Sequence, residues 1–223
     1  MKLEICNHIA LIFGGASGIG RAIAREFALE GASVAVLDRS SATEQAAAEV
    51  GLETGAKAIG LVCDVTDYTQ VQKAVVSVKQ QLGQPRHMAY AAGMGSGRFG
   101  FPYWNLEPAD WLQVLQVNLM GAVHAAHAVG PLLAEAKAGT MLFISSVAGQ
   151  IGSQTDPPYS AAKAGLINFA QCAAKDLAEH NVRVNTICPG MVQTPLNKSV
   201  WQAWHYQQPA EARLSYEEWA GSK

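Results

Sequence analysis

The chain has 223 residues, of which 49% are hydrophobic and 15% charged, with a formal net charge of -2. That composition supports a sizeable core and excludes a disordered chain. The near-neutral balance gives no electrostatic drive toward nucleic acid or an anionic membrane. The length fits one large α/β domain over residues 1–223 better than two small ones.

In chain order, short apolar runs alternate with longer helical patterns. Residues 8–13 read as a buried strand and residues 18–29 as a helix, with Ile19, Ile23 and Phe27 on one face. A strand over 33–37 is followed by an Ala-rich helix over 42–52 that ends near Gly55. A third strand, 58–62, leads to a helix over 67–82, capped by Asp67 and stopped by Gly83. Residues 87–91 form a weaker strand and 94–104 a Gly- and aromatic-rich loop. A long helical stretch over 108–133 takes Pro108 in its first turn. A strand over 140–144, a helix over 158–179 and a strand over 182–187 follow, then an aromatic tail, 201–219, that is helical in pieces. Continuously apolar strands alternating with helices imply a doubly wound, Rossmann-like parallel sheet covered on both faces.

Cys6, Cys63, Cys172 and Cys188 form no CxxC pair and read as buried free thiols of a reducing compartment. His124 and His127 stand three apart on a helix without a third ligand, so no metal site is expected. Strand-like sequence begins by His8, which leaves no room for a cleaved leader before it, and no apolar run reaches the length of a membrane span. A cytoplasmic location is the resulting expectation.

Two patterns carry chemistry. Gly14, Ser17, Gly18, Ile19 and Gly20 lie between the first strand and first helix, where glycines admit a pyrophosphate and the helix offers free N–H groups. Asp38 ends the second strand, where a carboxylate accepts from a ribose 2'-hydroxyl and repels a 2'-phosphate. NAD over NADP follows, with Arg39 beside it as a group able to turn toward a phosphate. Later, Tyr159 and Lys163 stand at i, i+4 on one helix face, after Ser145 and Ser146 at a strand end.

The ordered set of GxxxGIG, Asp38, Asp64-Val65, Asn118, Ser146, YxxxK and Pro189-Gly190 resembles the short-chain dehydrogenase/reductase family over residues 9–194. The resemblance implies Tyr159 as general acid-base and Lys163 as holder of the nicotinamide ribose that lowers the tyrosine pKa. It implies Ser146 rather than Ser145 as donor to the substrate oxygen and Asn118 as the group that steadies a relay water. Asp64 and Val65 correspond to adenine contacts, and Ala92, Gly93, Pro189, Gly190, Val192 and Thr194 to further cofactor positions, with Thr194 holding the carboxamide. Acid-base work near neutrality wants the phenol roughly three pKa units below its free value of about 10, or roughly 4 kcal/mol of phenolate stabilisation. An exposed ion pair supplies at most about 1 kcal/mol, so Lys163 is expected to act in a partly dry site.

Three departures from the family pattern stand out. Phe13 replaces a threonine before the first glycine, so packing is expected to hold the loop. Tyr90-Ala91-Ala92-Gly93 replaces Asn-Asn-Ala-Gly, so Tyr90 needs a partner of its own. The chain ends before the last helix and strand that the resemblance implies, with residues 191–223 in the substrate-lid region.

The expected reaction is hydride transfer between NAD(H) and a secondary alcohol or ketone, on a small polar substrate such as a polyol or sugar. Gly95, Phe99, Tyr103, Gln150, Thr155, Asp156, Trp201, Trp204 and Tyr206 are candidate pocket walls, with the lid's own core or a subunit interface as the other reading of the aromatics. Other readings are a 3-oxoacyl-thioester reductase, a hydroxysteroid-type dehydrogenase or a non-catalytic NAD(H)-binding regulator. Small residues on the Tyr159 helix, with the resemblance, imply a homodimer or homotetramer.

Overall fold

The computed structural model describes residues 3–152 and 156–222. Among them, six strands form one parallel sheet: β1 Ile9–Phe13, β2 Ser33–Asp38, β3 Ala58–Val62, β4 His87–Tyr90, β5 Gly139–Ile144 and β6 Val182–Ile187, in the order β3-β2-β1-β4-β5-β6. The doubly wound Rossmann-like architecture expected from the sequence is present. Alternate residues of each strand feed opposite faces. Leu11, Phe13, Met88, Tyr90 and Phe143 enter one core with Val75, Ala125, Val129 and Leu166, while Ala10, Ile12, Val34 and Val36 enter another with Ala24, Ala28 and Val50.

Helices α1 Gly18–Leu29 and α2 Thr43–Thr54 cover the second face. Helices α3 Tyr68–Gln81, α5 Gly121–Ala136 and α6 Pro157–Leu177 cover the first, with α4 Pro108–Leu115 packed on α6. Asp67 caps α3, accepting from the Thr69 and Gln70 N–H groups, and α2 ends on Gly55 in the left-handed region. Between α4 and α5 the chain makes one π-helical turn, Gln116–Met120, where an uninterrupted helix was expected. The 29-residue stretch Pro108–Ala136 reaches a mean hydropathy of 1.3 in its most apolar 18-residue window and is long and apolar enough to cross a membrane, contrary to the sequence expectation. Half of its most apolar window is buried inside this fold.

Two other expectations are corrected. Cys63 is buried, but Cys6 and Cys172 are exposed and Cys188 is half-buried, because local apolar patterning does not record which turns reach the surface. The tail forms α7 Pro195–His205 and α8 Tyr216–Gly221, and its aromatics pack on one another. Trp201 stacks edge-on to Tyr216 at 5.8 Å and Trp204 meets Trp219 at 6.3 Å, so both tryptophans build the lid's own core.

Because β2 and β4 flank β1, the chain leaves neighbouring strand ends in opposite directions and opens a crevice at their carboxyl ends. Most of the sequence signals for chemistry lie on that rim or behind it.

Candidate active site

The glycine loop turns between β1 and α1. Gly14 has φ +76, and a Cβ there would lie 2.4 Å from the Ala92 nitrogen. A Cβ on Gly20 would lie 2.1 Å from the Gly14 carbonyl oxygen. Both positions therefore demand glycine. Ser17 precedes α1 without a side-chain cap, which leaves first-turn N–H groups available to an anion. Phe13 is fully buried with its ring 6.3 Å from Tyr90, so packing does replace the missing hydroxyl. Asp38 braces the loop: Oδ2 accepts from the Ala16 N–H at 3.2 Å and Oδ1 from the Ser40 N–H at 3.1 Å.

The crevice has a volume of about 540 Å³, within the range of cofactor sites. It is bordered by Gly14, Ser17, Gly18, Ile19, Gly20, Asp38, Asp64, Val65, Ala92, Gly93 and Thr194, all predicted, and by Arg39. Ungated glycine cradle, free helix N-terminus and volume together fit a dinucleotide. Gly95, expected as a substrate wall, also borders it; the rest of the border was not foreseen: Cys63, Ala91, Met94, Ser96, Gly97, Val117, Pro195, Leu196 and Ser199. Burial pushes the Cys63 thiol up to about 11, aided by Asp64 and Asp67, so it is an uncharged wall.

Three predicted cofactor positions lie elsewhere. Pro189 ties the end of β6 to the Ser146 turn, its carbonyl accepting from the Val147 N–H at 3.0 Å. Gly190 is exposed with open space around it, and Val192 borders an apolar groove with Ile19, Ile23 and Phe27. The chain swings outside α1 after β6 before Thr194 returns to the crevice. There Thr194 caps α7, accepting from the Asn197 N–H at 3.2 Å.

Two of the residues expected to be catalytic, Asn118 and Lys163, stand behind Gly93. A Cβ on Gly93 would lie 2.9 Å from Asn118 Oδ1 and 3.5 Å from Lys163 Nζ. The Ser146 side chain hydrogen-bonds to Tyr159 and holds its phenol down, while Ser145 turns inward and donates to the Lys163 carbonyl at 2.8 Å. Period-two alternation at the strand end sorts the two serines. Ser145 is thus a support the sequence reading passed over, although its neighbour's role signalled it.

Lys163 is 3% exposed and donates from Nζ to the Ile144 carbonyl at 2.8 Å. Its Nζ lies 5.5 Å from the centroid of the Tyr159 ring. Burial holds its pKa down at about 8. Burial also pushes the Tyr159 phenol above its ordinary value; the Ser146 hydrogen bond opposes this and the Asp156 charge adds to it. The lowering expected from Lys163 is therefore not delivered by the protein alone, since the ammonium sits over the ring face and is itself partly neutralised by burial.

Asn118 is fully buried at the centre of the π-turn. Its Nδ2 donates to the Met94 carbonyl at 2.7 Å and the Val114 carbonyl at 2.9 Å. Tyr90 finds the partner it needs in the same turn, donating to the Val117 carbonyl at 2.5 Å. The turn locks the chain after β4 against α4 and fixes the rear wall of the crevice. Among the described residues no group of three His, Cys, Asp or Glu side chains could hold a metal.

Of the candidate substrate walls, Gly95 borders the crevice, Phe99 and Tyr206 border an adjoining hollow of about 430 Å³, and Asp156 a small cavity taken up below. Tyr103 is 68% exposed against Trp104, Gln150 is exposed, and Thr155 lies outside the described residues.

Residues 8–204 match the family described as short chain dehydrogenase. A 3-oxoacyl-[acyl-carrier-protein] reductase of Thermotoga maritima is 32% identical over 200 residues, covering 90% of this chain and 79% of the relative. A D-threitol dehydrogenase of Mycolicibacterium smegmatis is 34% identical over 194 residues, covering 86% and 73%. The crystal structure of an NAD+-bound xylitol dehydrogenase superposes with a TM-score of 0.88 at 30% identity, covering 96% of this chain and 82% of that one.

Proposed function

Since the chain belongs to the short-chain dehydrogenase family, whose members bind a nicotinamide nucleotide, we propose that it transfers hydride between NAD(H) and a secondary alcohol or ketone. The observation that carries this reading is one juxtaposition: the Ser146–Tyr159 hydrogen bond, with Lys163 over the ring, behind the inner wall of a crevice that has Asp38 on its border.

When bound, the nicotinamide ring accepts or supplies the hydride. In oxidation Tyr159 takes the hydroxyl proton, and in reduction it returns one to the carbonyl oxygen. Ser146 donates to the same oxygen as charge develops there. Lys163 keeps a positive charge in a dry site over the Tyr159 ring, and the phenolate would need the positive charge of an oxidised nicotinamide in addition to it. Asn118 holds the loop after Gly93 in register with these groups. Asp38 has acceptor capacity beyond its two backbone donors and favours a free ribose 2'-hydroxyl. Support for a small polar substrate comes from the likeness to proteins described as D-threitol and xylitol dehydrogenases. Reduction of a 3-oxoacyl thioester is a second reading, favoured by the Thermotoga relative and by Arg39 on the crevice wall.

The test is nucleotide reduction with NAD and with NADP across polyols, sugars, hydroxy acids and steroids, beside NADPH-driven reduction of an acetoacetyl thioester. NAD-linked oxidation that drops at least about a hundredfold in Tyr159→Phe is expected. Turnover confined to NADPH and the thioester would replace the first reading by the second. Tight NADH binding with no turnover in any arm would make the protein a nucleotide-binding regulator.

A further inference from the structure

Asp156 precedes α6, three residues before Tyr159, and is 7% exposed. An aspartate at this position ordinarily accepts from the second or third N–H of its helix. Here the first two helical residues are Pro157 and Pro158, which have no N–H, and the side chain makes no capping hydrogen bond. Its Oδ2 accepts from the Ser96 N–H at 2.8 Å, and Gly95 is pressed so close that a Cβ there would lie 2.6 Å from the same oxygen. Burial pushes the Asp156 carboxyl above its ordinary pKa, while the Ser96 N–H and hydroxyl and the Tyr159 backbone N–H oppose the rise. Oδ1 is buried and makes no hydrogen bond.

A buried carboxylate oxygen without a donor is costly, and such groups persist where function uses them. Asp156 forms part of the wall of a cavity of about 10 Å³ with Gly95, Gly97, Phe99, Ser199 and Ala203. That is the size of one hydroxyl group and far too small for a whole ligand. The cavity shares Gly95, Gly97 and Ser199 with the crevice, and its Asp156 stands three residues before Tyr159 on the chain. A donor to Oδ1 in this cavity must be small, and a hydroxyl carried by a molecule held in the adjoining crevice meets that condition.

We propose that Asp156 Oδ1 accepts a hydrogen bond from the hydroxyl on the carbon next to the reacting one, so that the protein selects vicinal diols and α-hydroxy ketones. This rests on the hydride-transfer reading above. A methyl group of similar size would fill the cavity and leave Oδ1 unpaired, and sites built to bond a hydroxyl reject analogues that lack it. Asp156 is then a specificity-determining residue; Ser96 and the two prolines hold it in place.

The experiment compares kcat/KM for NAD-linked oxidation of butane-2,3-diol, each stereoisomer separately, with butane-1,3-diol and butan-2-ol. The wild-type protein is expected to prefer one 2,3-diol to both others by about tenfold or more. Asp156→Asn keeps an acceptor for Ser96 but presents an amide where Oδ1 stood, and its preference should shrink by about tenfold. The wild-type comparison stands even where the variant fails to fold. Oxidation of all three alcohols with no diol preference, or a preference intact in Asp156→Asn, overturns the role of Asp156 alone. NADH binding without oxidation of any alcohol overturns the hydride-transfer reading, and this proposal with it.

Discussion

At the amino ends of β1, β4 and β5, His8 Nδ1 lies 2.9 Å from His87 Nε2, and His87 Nδ1 lies 2.9 Å from Thr140 Oγ1. The chain of three groups is closed at each step, and the Phe27 ring leans on His87 at 5.3 Å. At the carboxyl ends of the same sheet, Lys163 keeps a buried ammonium on a single carbonyl, Tyr159 is driven above its ordinary pKa, and Asp156 leaves one oxygen unpaired. Both ends take polar groups out of water, with His87 buried at one and Lys163 and Asp156 at the other. One end satisfies them and gains stability; the other leaves capacity unused and holds it for a ligand. Variants at the two ends should therefore separate activity from stability.

The largest effect is expected for Lys163→Met. It removes the ammonium but keeps the shape, so turnover should fall by about a thousandfold, roughly 4 kcal/mol. Stability should hold or rise. Lys163 has a folded pKa of about 8 against an ordinary 10.5, so the fold favours its neutral form. Stability linked to it is present above pH 10.5, is lost as pH falls through about 8, and is absent at neutrality, where the buried charge costs about 3 kcal/mol. Denaturant melts across that alkaline range should rise for wild type and stay flatter for the variant. A variant less stable than wild type at neutral pH would break the contrast.

The next effect belongs to the other end. His87 is held at about 4 against an ordinary 6.5, by burial first and then by the positive charges of His8, Arg183 and Arg86. Its folded pKa is depressed, so its stability contribution is complete above pH 6.5 and is lost as pH falls toward about 4. The full loss is about 3 kcal/mol. His87→Gln keeps a donor and an acceptor without titrating, and its denaturation midpoint should depend less on pH across that window. Turnover at neutral pH should be unaffected, since the site lies at the opposite end of the strands. Equal pH slopes in both proteins would mean that the histidine chain does not set acid stability.

How much of this was legible in the sequence depends on how local each signal is. Helix α1 was readable to its ends because a glycine loop starts it and Gly31 follows its close, and Asp67 announced α3 by its own capping chemistry. Ser146, Tyr159 and Lys163 were legible because spacing on one helix and one strand end is preserved by the fold. The π-turn was not, since one extra residue in a helical pattern leaves the apolar rhythm readable as a plain helix. Trp201 and Trp204 look the same to the sequence whether they wall a pocket or pack on Tyr216 and Trp219. The His8–His87 contact exists because β4 lies beside β1, which no run of residues within either strand encodes. Asp-Pro-Pro does spell out an aspartate whose first two helical neighbours offer no N–H to cap, but what the carboxylate then serves depends on the cavity beside it.

Tyr90 links the two halves of the comparison, and the smallest effect is expected there. Its hydroxyl is fully buried, donates to the Val117 carbonyl, and leaves no room for a Cβ on Gly121, which would come within 2.3 Å of it. Burial holds the phenol well above its ordinary pKa, so it is a neutral donor at every working pH. Tyr90→Phe removes one buried hydrogen bond and should lower stability by about 1 kcal/mol, measured as a shift in denaturation midpoint. Asn118 retains its own bonds to Met94 and Val114 on the same turn, so turnover should fall by less than about threefold. A loss of activity larger than the loss of stability would move Tyr90 from the satisfied class to the functional one. It would mean that the π-turn is held in its active position by the tyrosine rather than by the asparagine it carries.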